Sequence, residues 1–438
     1  MHRILSLIAC VAAAPAVAQT TCVPTIANES LTPAVPGVVS SIRFYDDLSG
    51  AGGQFFAAGN IASMGNAVRL TATGWQPVGG GLSTPVKVLE VVDDSTGPGN
   101  GLALYAGGAF GLARWNGVFW DTLIPSPGSV TAVARFDDGT GPATYVLADG
   151  DLRKFDTATS SWQRIASASC YAPQGPTDRV LVCDDDGPGQ RPSSVFFCSF
   201  SGFSPVNSFA SNSASGFVRF DGSAMQALPD AQLGIWIKSA AMFDDGVSGP
   251  AVYASGHRLG QQPSVVRWNP ATNGWSGVGP LAVLPGDAAY ALTAFADGVT
   301  PRPRLYAIGS YASVAVNPVA NIAAWNGQTW TRIWNRPLGS AERMTYHFPS
   351  STGTLGAAHT PTLLYAGLGS SSSTTFYAIV GCPRCPGDVD LDGQVTVADL
   401  FLYLNAWFAN QPSSDIGGNG QTAMDVLDFI AGWFVPCQ

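Results

Sequence analysis

The chain is poor in charge, and poorest in lysine, glutamate and histidine. Only 12% of its 438 residues are charged. Lys87, Lys154 and Lys238 are the only lysines, and Glu29, Glu90 and Glu342 the only glutamates. The net charge of -9 excludes nucleic acid as a partner, because phosphate binding needs a basic face. Glutamates so scattered argue against a Glu/Glu glycosidase pair. His257, His347 and His359 stand at no metal-ligand spacing. There is no Gly-x-Ser-x-Gly elbow with downstream partners and no Gly-Lys-Ser phosphate loop. Past the first 18 residues no apolar run reaches the roughly 18 residues a membrane helix needs, so no membrane span is expected.

What the chain has instead is apolar and turn-forming residues. Hydrophobic residues make 46% and aromatics 11%, with 51 glycines and 31 prolines. So many aromatics with so little charge exclude a disordered chain. The glycine and proline content suits many short turns better than long helices.

Residues 1–18 read as a secretory signal peptide. Arg3 supplies the positive start, Ile4 to Ala14 the apolar stretch, and Ala16-Val17-Ala18 the small-residue cleavage site before Gln19. A secreted or cell-surface location follows, where disulfides are permitted. Seven cysteines remain beyond the signal: Cys22, Cys170, Cys183, Cys198, Cys382, Cys385 and Cys437. An odd number leaves at least one outside any pairing within the chain.

Residues 19–381 carry a repeat. Each copy opens on an apolar run ending in aspartates: Asp46-Asp47, Asp93-Asp94, Asp137-Asp138, Asp184-Asp185, Asp244-Asp245 and Asp297. A Gly/Pro turn and a Tyr-centred strand follow, as in Tyr105-Ala106-Gly107, Tyr253-Ala254 and Tyr306-Ala307. A worn last copy keeps Tyr346-His347-Phe348 and Tyr365-Ala366-Gly367. The back half of a copy reads Arg114-Trp115-Asn116-Gly117 then Trp120, or Ala324-Trp325-Asn326-Gly327 then Trp330. Asn-Gly between apolar runs predicts a type I′ hairpin with positive φ at both central residues.

Each copy therefore predicts four short strands: one ending at the aspartates, one with the tyrosine, one with Arg-Trp, and one opening near the second tryptophan. A four-stranded unit recurring roughly every 50 residues is the signature of a β-propeller blade. One twisted sheet cannot bury both faces alone, whereas a ring of sheets can, and it leaves few open edges. The expected fold class is mainly β: a seven-bladed propeller, with six and eight as neighbouring counts. The repeat resembles kelch-type propellers, which also use paired glycines and spaced aromatics. That resemblance implies the fold and no activity. The equivalent tryptophans, Trp75, Trp115, Trp120, Trp162, Trp268, Trp275, Trp325 and Trp330, are expected to pack between blades rather than to form a sugar-stacking platform. The aspartate turns are read first as turn caps, since Asp bonds its own backbone two residues on, and second as calcium ligands.

Residues 382–438 change character. Asp388, Asp390 and Asp392 stand at positions 1, 3 and 5 of a calcium loop, Gly393 at the sharp turn, Gln394 at position 7 and Asp399 at position 12. The alternative role for Asp399 is a helix cap. Apolar residues then follow at helical spacing from Leu400 to Phe408. Asp415, Asn419 and Asp425 repeat the loop in shorter form, and Val426 to Phe434 repeat the helix with its closing Trp-Phe.

This duplicated loop and helix, from Cys385 to Cys437, resembles the GC-type dockerin found at the C-terminus of exported bacterial proteins. The resemblance implies one calcium ion held by Asp388, Asp390, Asp392, Gln394 and Asp399. A second would use Asp415, Asn419 and Asp425. It also implies a cohesin-like or other envelope protein as partner. Position 12 is Asp rather than Glu, and no helix precedes the loop, so an ordinary EF-hand is not implied. Three cysteine pairings follow as expectations: Cys385 with Cys437, clipping the small module; Cys22 with Cys382, where the ring would close; and Cys183 with Cys198 or Cys170.

The function expected is therefore noncovalent binding or display. The C-terminal module attaches the chain, and the ring presents a surface to a protein or polysaccharide. The main alternative is a tethered carbohydrate-active hydrolase or lyase with its site at the channel mouth. The second is a module that serves only in envelope sorting.

Overall fold

Short apolar runs that alternate with polar positions and break at Gly and Asp form strands. The computed structural model describes residues 24–26, 34–47, 53–71, 73–97, 101–167, 179–183, 194–199, 216–228, 235–258, 264–279, 288–299, 303–314, 317–334, 341–347, 362–370, 373–381, 387, 389, 395–408, 426–427, 429–430 and 433. Nearly all of these lie in antiparallel strands joined by tight turns.

The first meander comprises Val38–Tyr45, Gln54–Asn60, Ala67–Thr71 and Gly74–Pro77. The second comprises Val86–Gly97, Gly101–Gly108, Gly111–Trp115 and Trp120–Thr122. The third runs through Val130–Asp137, Pro142–Ala148, Asp151–Asp156 and Ser161–Ser167. The fourth has Arg179–Cys183, Ser194–Ser199, Gly216–Phe220 and Met225–Ala227. The fifth has Ile235–Asp244, Pro250–Arg258, Val265–Asn269 and Gly274–Gly277. The sixth has Ala288–Phe295, Arg304–Val314, Asn317–Trp325 and Trp330–Trp334. The last contributes Ala341–His347, Thr362–Ser370 and Ser373–Val380.

The first strand of each meander touches the first strand of the next, and that of the last returns to that of the first. These strands therefore surround a common axis, and the fold is a β-propeller. The predicted strand contents hold. The tyrosine sits on the second strand, Arg-Trp on the third, and the second tryptophan opens the fourth.

Three expectations need correction. Seven separate blades are not what the hydrogen bonding shows. Five sheets of four or five strands stand alone, and the sixth is eight-stranded, because the fifth and sixth meanders are joined at one pair, His257 with Ala288. Among the described residues the last copy does not supply its own fourth strand. Thr25–Ile26 and Val35–Pro36, from the other end of the chain, pair with Ser373–Val380 instead. The Asn-Gly hairpins are not type I′. Asn116 N–H bonds Phe119 O, so Gly117 and Val118 are the central residues, and of these two only Gly117 has positive φ, at 96°. Gly at the first central position is the type II′ arrangement. Asn116 Oδ1 instead accepts the N–H groups of Val118 and Phe119, and Asn326 does the same for Gln328 and Thr329.

The tryptophans pack as expected. Trp115 and Trp120, Trp268 and Trp275, and Trp325 and Trp330 are buried cross-strand pairs with ring centroids 5.3 to 5.4 Å apart. Trp115 also meets Phe56 of the preceding meander. At the closing junction Trp75 lies 4.5 Å from Phe376, and Val39 N–H donates to Thr374 Oγ1 at 3.1 Å. Cys183 lies opposite Ser194 and Cys198 opposite Arg179, four positions apart along one ladder. Cys22, Cys170, Cys382, Cys385 and Cys437 lie outside the described residues.

Candidate functional site

Two places concentrate polar side chains: the inner strands of the ring and the C-terminal module. The aspartate turns, calcium-ligand candidates by sequence, have their carboxylates taken up within the protein. Their first aspartates cap turns. Asp137 Oδ1 accepts the N–H groups of Gly139 and Gly141, each at 2.9 Å, and Asp244 Oδ1 accepts Gly246 N–H. In the second, third and fifth copies the second aspartate holds a tyrosine and a cation. Asp94 accepts Tyr105 Oη at 2.8 Å and Arg114 Nε at 2.7 Å. Asp138 accepts Tyr145 Oη at 2.7 Å and Lys154 Nζ at 2.6 Å. Asp245 faces Tyr253 and Arg267 at 3.4 and 3.6 Å.

Strand register produces these triads. Tyr105 pairs with Arg114, Tyr145 with Lys154, and Tyr253 with Arg267. In the sixth meander Ala324 occupies the position opposite Tyr306, and the cation comes from Arg304 on the tyrosine's own strand. Asp297, Arg304 and Tyr306 form the one such set, among those described, in which all three members are buried. Burial raises each tyrosine pKa, and the neighbouring carboxylate raises it further, so the phenols stay neutral donors. Burial alone would raise the pKa of Asp138, but hydrogen bonds from Lys154, Thr140 and Tyr145 outweigh it and hold the carboxyl below its ordinary value. These aspartates are occupied as structural anchors. Among the described residues no three His, Cys, Asp or Glu side chains cluster as a metal site.

A second recurrent feature escaped the sequence reading. Six of the innermost strands carry a β-bulge near their start, recorded as a register shift at Ser40, Lys87, Thr131, Lys238, Tyr290 and Glu342. In five of these the bulged residue precedes the second aspartate of its copy by seven positions, as Lys87 precedes Asp94. All six are polar or carry a hydroxyl, although neighbouring positions are mostly apolar. Ser40 Oγ donates to Ala58 O, and Thr131 Oγ1 to the equivalent carbonyl of Leu147. Lys87 is exposed, and its Nζ donates to Ser129 Oγ at 3.0 Å. The signal was available as a polar residue at fixed distance before each aspartate pair.

In the C-terminal module the predicted helix forms as Val397–Phe408, with a second set of helical residues at 426–427, 429–430 and 433. Of the predicted ligands only Asp399 is described. Asp388, Asp390, Asp392, Gln394, Asp415, Asn419 and Asp425 lie outside the described residues. Asp399 is fully buried. Its Oδ2 accepts Thr396 N–H at 2.8 Å, while Thr396 Oγ1 accepts Ala398 N–H, so it does cap the helix. Its Oδ1 also accepts Val389 N–H at 2.7 Å, which ties the start of the acidic loop to its end.

Tyr403 stacks on Phe429 with centroids 4.1 Å apart and planes 4° from parallel, and both are buried. Tyr403 lies as far before Trp407-Phe408 as Phe429 lies before Trp433-Phe434, so equivalent residues of the two halves meet. Val397, Phe401, Leu402, Phe408, Leu427 and Ile430 remain exposed.

No sequence-family profile and no characterised protein sequence matches the chain. Solved structures do. BBS1N in complex with ARL6DN aligns with a TM-score of 0.52 at 9% identity, over 82% of this chain and 97% of that one. A second crystal of that complex gives 0.51. The extracellular domain of the one-component system BT4673 from B. thetaiotaomicron gives 0.49 at 12% identity. It covers 81% of this chain and only 40% of that one. At such identities the likeness is one of fold. No helix of the described residues is long and apolar enough to cross a membrane.

Proposed function

We propose that this is an exported binding protein in two parts. The ring of antiparallel sheets presents an interaction surface. The C-terminal module folds around calcium, resembles a dockerin, and attaches the chain to a cohesin-like or other envelope protein. Asp388, Asp390, Asp392, Gln394 and Asp399 would hold one ion, and Asp415, Asn419 and Asp425 a second. Calcium would neutralise clustered acidic oxygens that otherwise repel one another. The ring's resemblance in fold to BBS1N, a propeller solved together with a protein partner, is in keeping with a protein-binding role.

The observation that carries this reading is the Tyr403–Phe429 stack. It draws two equivalent halves together over a shared core and leaves Phe401, Leu402, Phe408, Leu427 and Ile430 on the outside. An apolar outer surface on so small a module calls for a partner.

The test is calorimetric titration of the chelator-stripped full chain with calcium chloride, beside capture from envelope extract. Heat of binding, lost in an Asp388→Asn/Asp392→Asn variant, is expected. Capture should fail in chelator and in Phe401→Asp. No heat, or capture unchanged by chelator, overturns the reading.

A further inference from the structure

Five Asn-Gly pairs stand in the chain, opening at Asn100, Asn116, Asn273, Asn326 and Asn419. Asn100 and Asn419 lie outside the described residues, and the fold treats the other three differently. Asn116 and Asn326 open the outer hairpin tips of the second and sixth meanders. Asn116 Oδ1 accepts the N–H groups of Val118 and Phe119, both at 2.9 Å, and Asn326 Oδ1 those of Gln328 and Thr329 at 2.9 and 2.8 Å. The amide that stands between, Gly117 N–H or Gly327 N–H, goes to no acceptor among the described residues. With no Cβ beside it, that nitrogen is open. Asn273 is held otherwise. Its Oδ1 accepts Gln226 Nε2 at 3.1 Å, and Gly274 is buried in the ladder opposite Asn269.

We propose that Asn116 and Asn326 are sites of spontaneous covalent modification by deamidation. The glycine nitrogen loses its proton to hydroxide, attacks Asn Cγ and forms a C–N bond. Negative charge gathers on Oδ1, which already faces two N–H donors, the arrangement of an oxyanion hole. The Cγ–Nδ2 bond then breaks, and ammonia leaves with a proton from water. The resulting succinimide takes up water at either carbonyl and opens to aspartate or isoaspartate. One amide and one water give one carboxylate and one ammonia, with no change of oxidation state. The chemistry needs neither calcium nor the C-terminal module.

The two products differ in what the ring can accept. Aspartate fits, because Asp221 already fills the equivalent place in the fourth meander, where its Oδ1 accepts Ser223 and Ala224 N–H at 2.9 and 2.8 Å. Isoaspartate lengthens the main chain by one methylene. At the second meander's tip there is room, since a Cβ on Gly117 meets nothing within 4 Å. At the sixth the tip is wedged, since a Cβ on Gly327 would strike Asp245 O of the fifth meander. Isoaspartate at 326 therefore loosens the seam between these two meanders, and isoaspartate at 116 leaves its neighbours in place.

The test uses the full chain, held at about pH 9 and 37 °C, with one sample folded and one unfolded in guanidinium chloride. Peptide mass spectrometry follows deamidation at each asparagine. In the folded chain Asn116 and Asn326 should react at least tenfold faster than Asn273. In the unfolded chain the three should react within about threefold of one another, since the dipeptide is the same. Equal rates in the folded chain overturn the proposal, as does a rate at Asn116 or Asn326 no higher than at Asn66, which alanine follows. A tenfold difference that persists in the unfolded chain also overturns it, because the cause would then be sequence alone. Aged wild type should melt below equally aged Asn326→Asp, which starts as the accepted product. Equal melting overturns the loosening of the seam.

Discussion

At the scale of the residue, one position decides several others. In four copies an aspartate receives a phenol and a cation, and its value depends on how dry the set is. Asp297, Arg304 and Tyr306 are all buried, so Asp297→Asn leaves a buried guanidinium without its counter-charge, at a cost of about 3–5 kcal/mol. Asp138 and Lys154 sit nearer water, and Asp138→Asn should cost about 1.5–3 kcal/mol. Urea unfolding of both variants at pH 7 checks the order. The Asp138 contribution also has a pH signature. Its folded pKa lies below the unfolded value, so the stabilisation is complete above roughly pH 4 and is lost as pH falls through the depressed pKa. The unfolding midpoints of the wild type and Asp138→Asn should therefore converge as the pH is lowered towards 2.

At the scale of the element, glycines allow blades to approach. Gly79 and Gly80 are neighbours with φ of 59° and 74°, so alanine strains the backbone at either. A Cβ at Gly79 would strike the Trp115 ring and come within 2.9 Å of Phe119 Cα, whereas one at Gly80 meets nothing within 4 Å. Gly80→Ala should cost about 1 kcal/mol, and Gly79→Ala about 1–3 kcal/mol more from overpacking. Paired thermal melts decide this. The buried stack in the C-terminal module yields a second expectation. Tyr403→Ala or Phe429→Ala removes one ring of the stacked pair, at about 3–5 kcal/mol, which exceeds what so small a module can lose. The calcium heat should vanish in either variant while the far-ultraviolet spectrum of the sheets is unchanged.

At the scale of the molecule, the ring is held shut by strands from its two ends. Val35 is buried in the closing sheet, and Thr374 Oγ1 joins Val39 N–H to Gly37 O. Deleting residues 19–37 should cost at least about 2 kcal/mol, the transfer value of one buried valine, and should leave an open sheet edge. A lower unfolding midpoint with concentration-dependent association in size-exclusion chromatography is the expected outcome. An unchanged midpoint would mean that the ring closes without these strands.

Much of this was legible in order along the chain. Strand content, turn positions and tryptophan packing follow from local chemistry: apolar alternation, Asp and Gly at turns, and aromatics too large to leave in water. The acidic spacing of the C-terminal loop and the return of its Trp-Phe helix are likewise written in sequence. What pairs with what at long range is not. No local rule could show that Ser373–Val380 completes its sheet with residues 25–26 and 35–36, since that depends on the ring returning to its start. The tyrosine–aspartate–cation sets and the bulges of the inner strands depend on register, which places residues from two strands opposite one another. The sequence alone therefore determined the repeat and its elements, because those are short-range matters of burial and turn geometry. Only the tertiary structure decided closure, merged sheets and which polar side chains meet, because those depend on pairings between strands that no local pattern specifies.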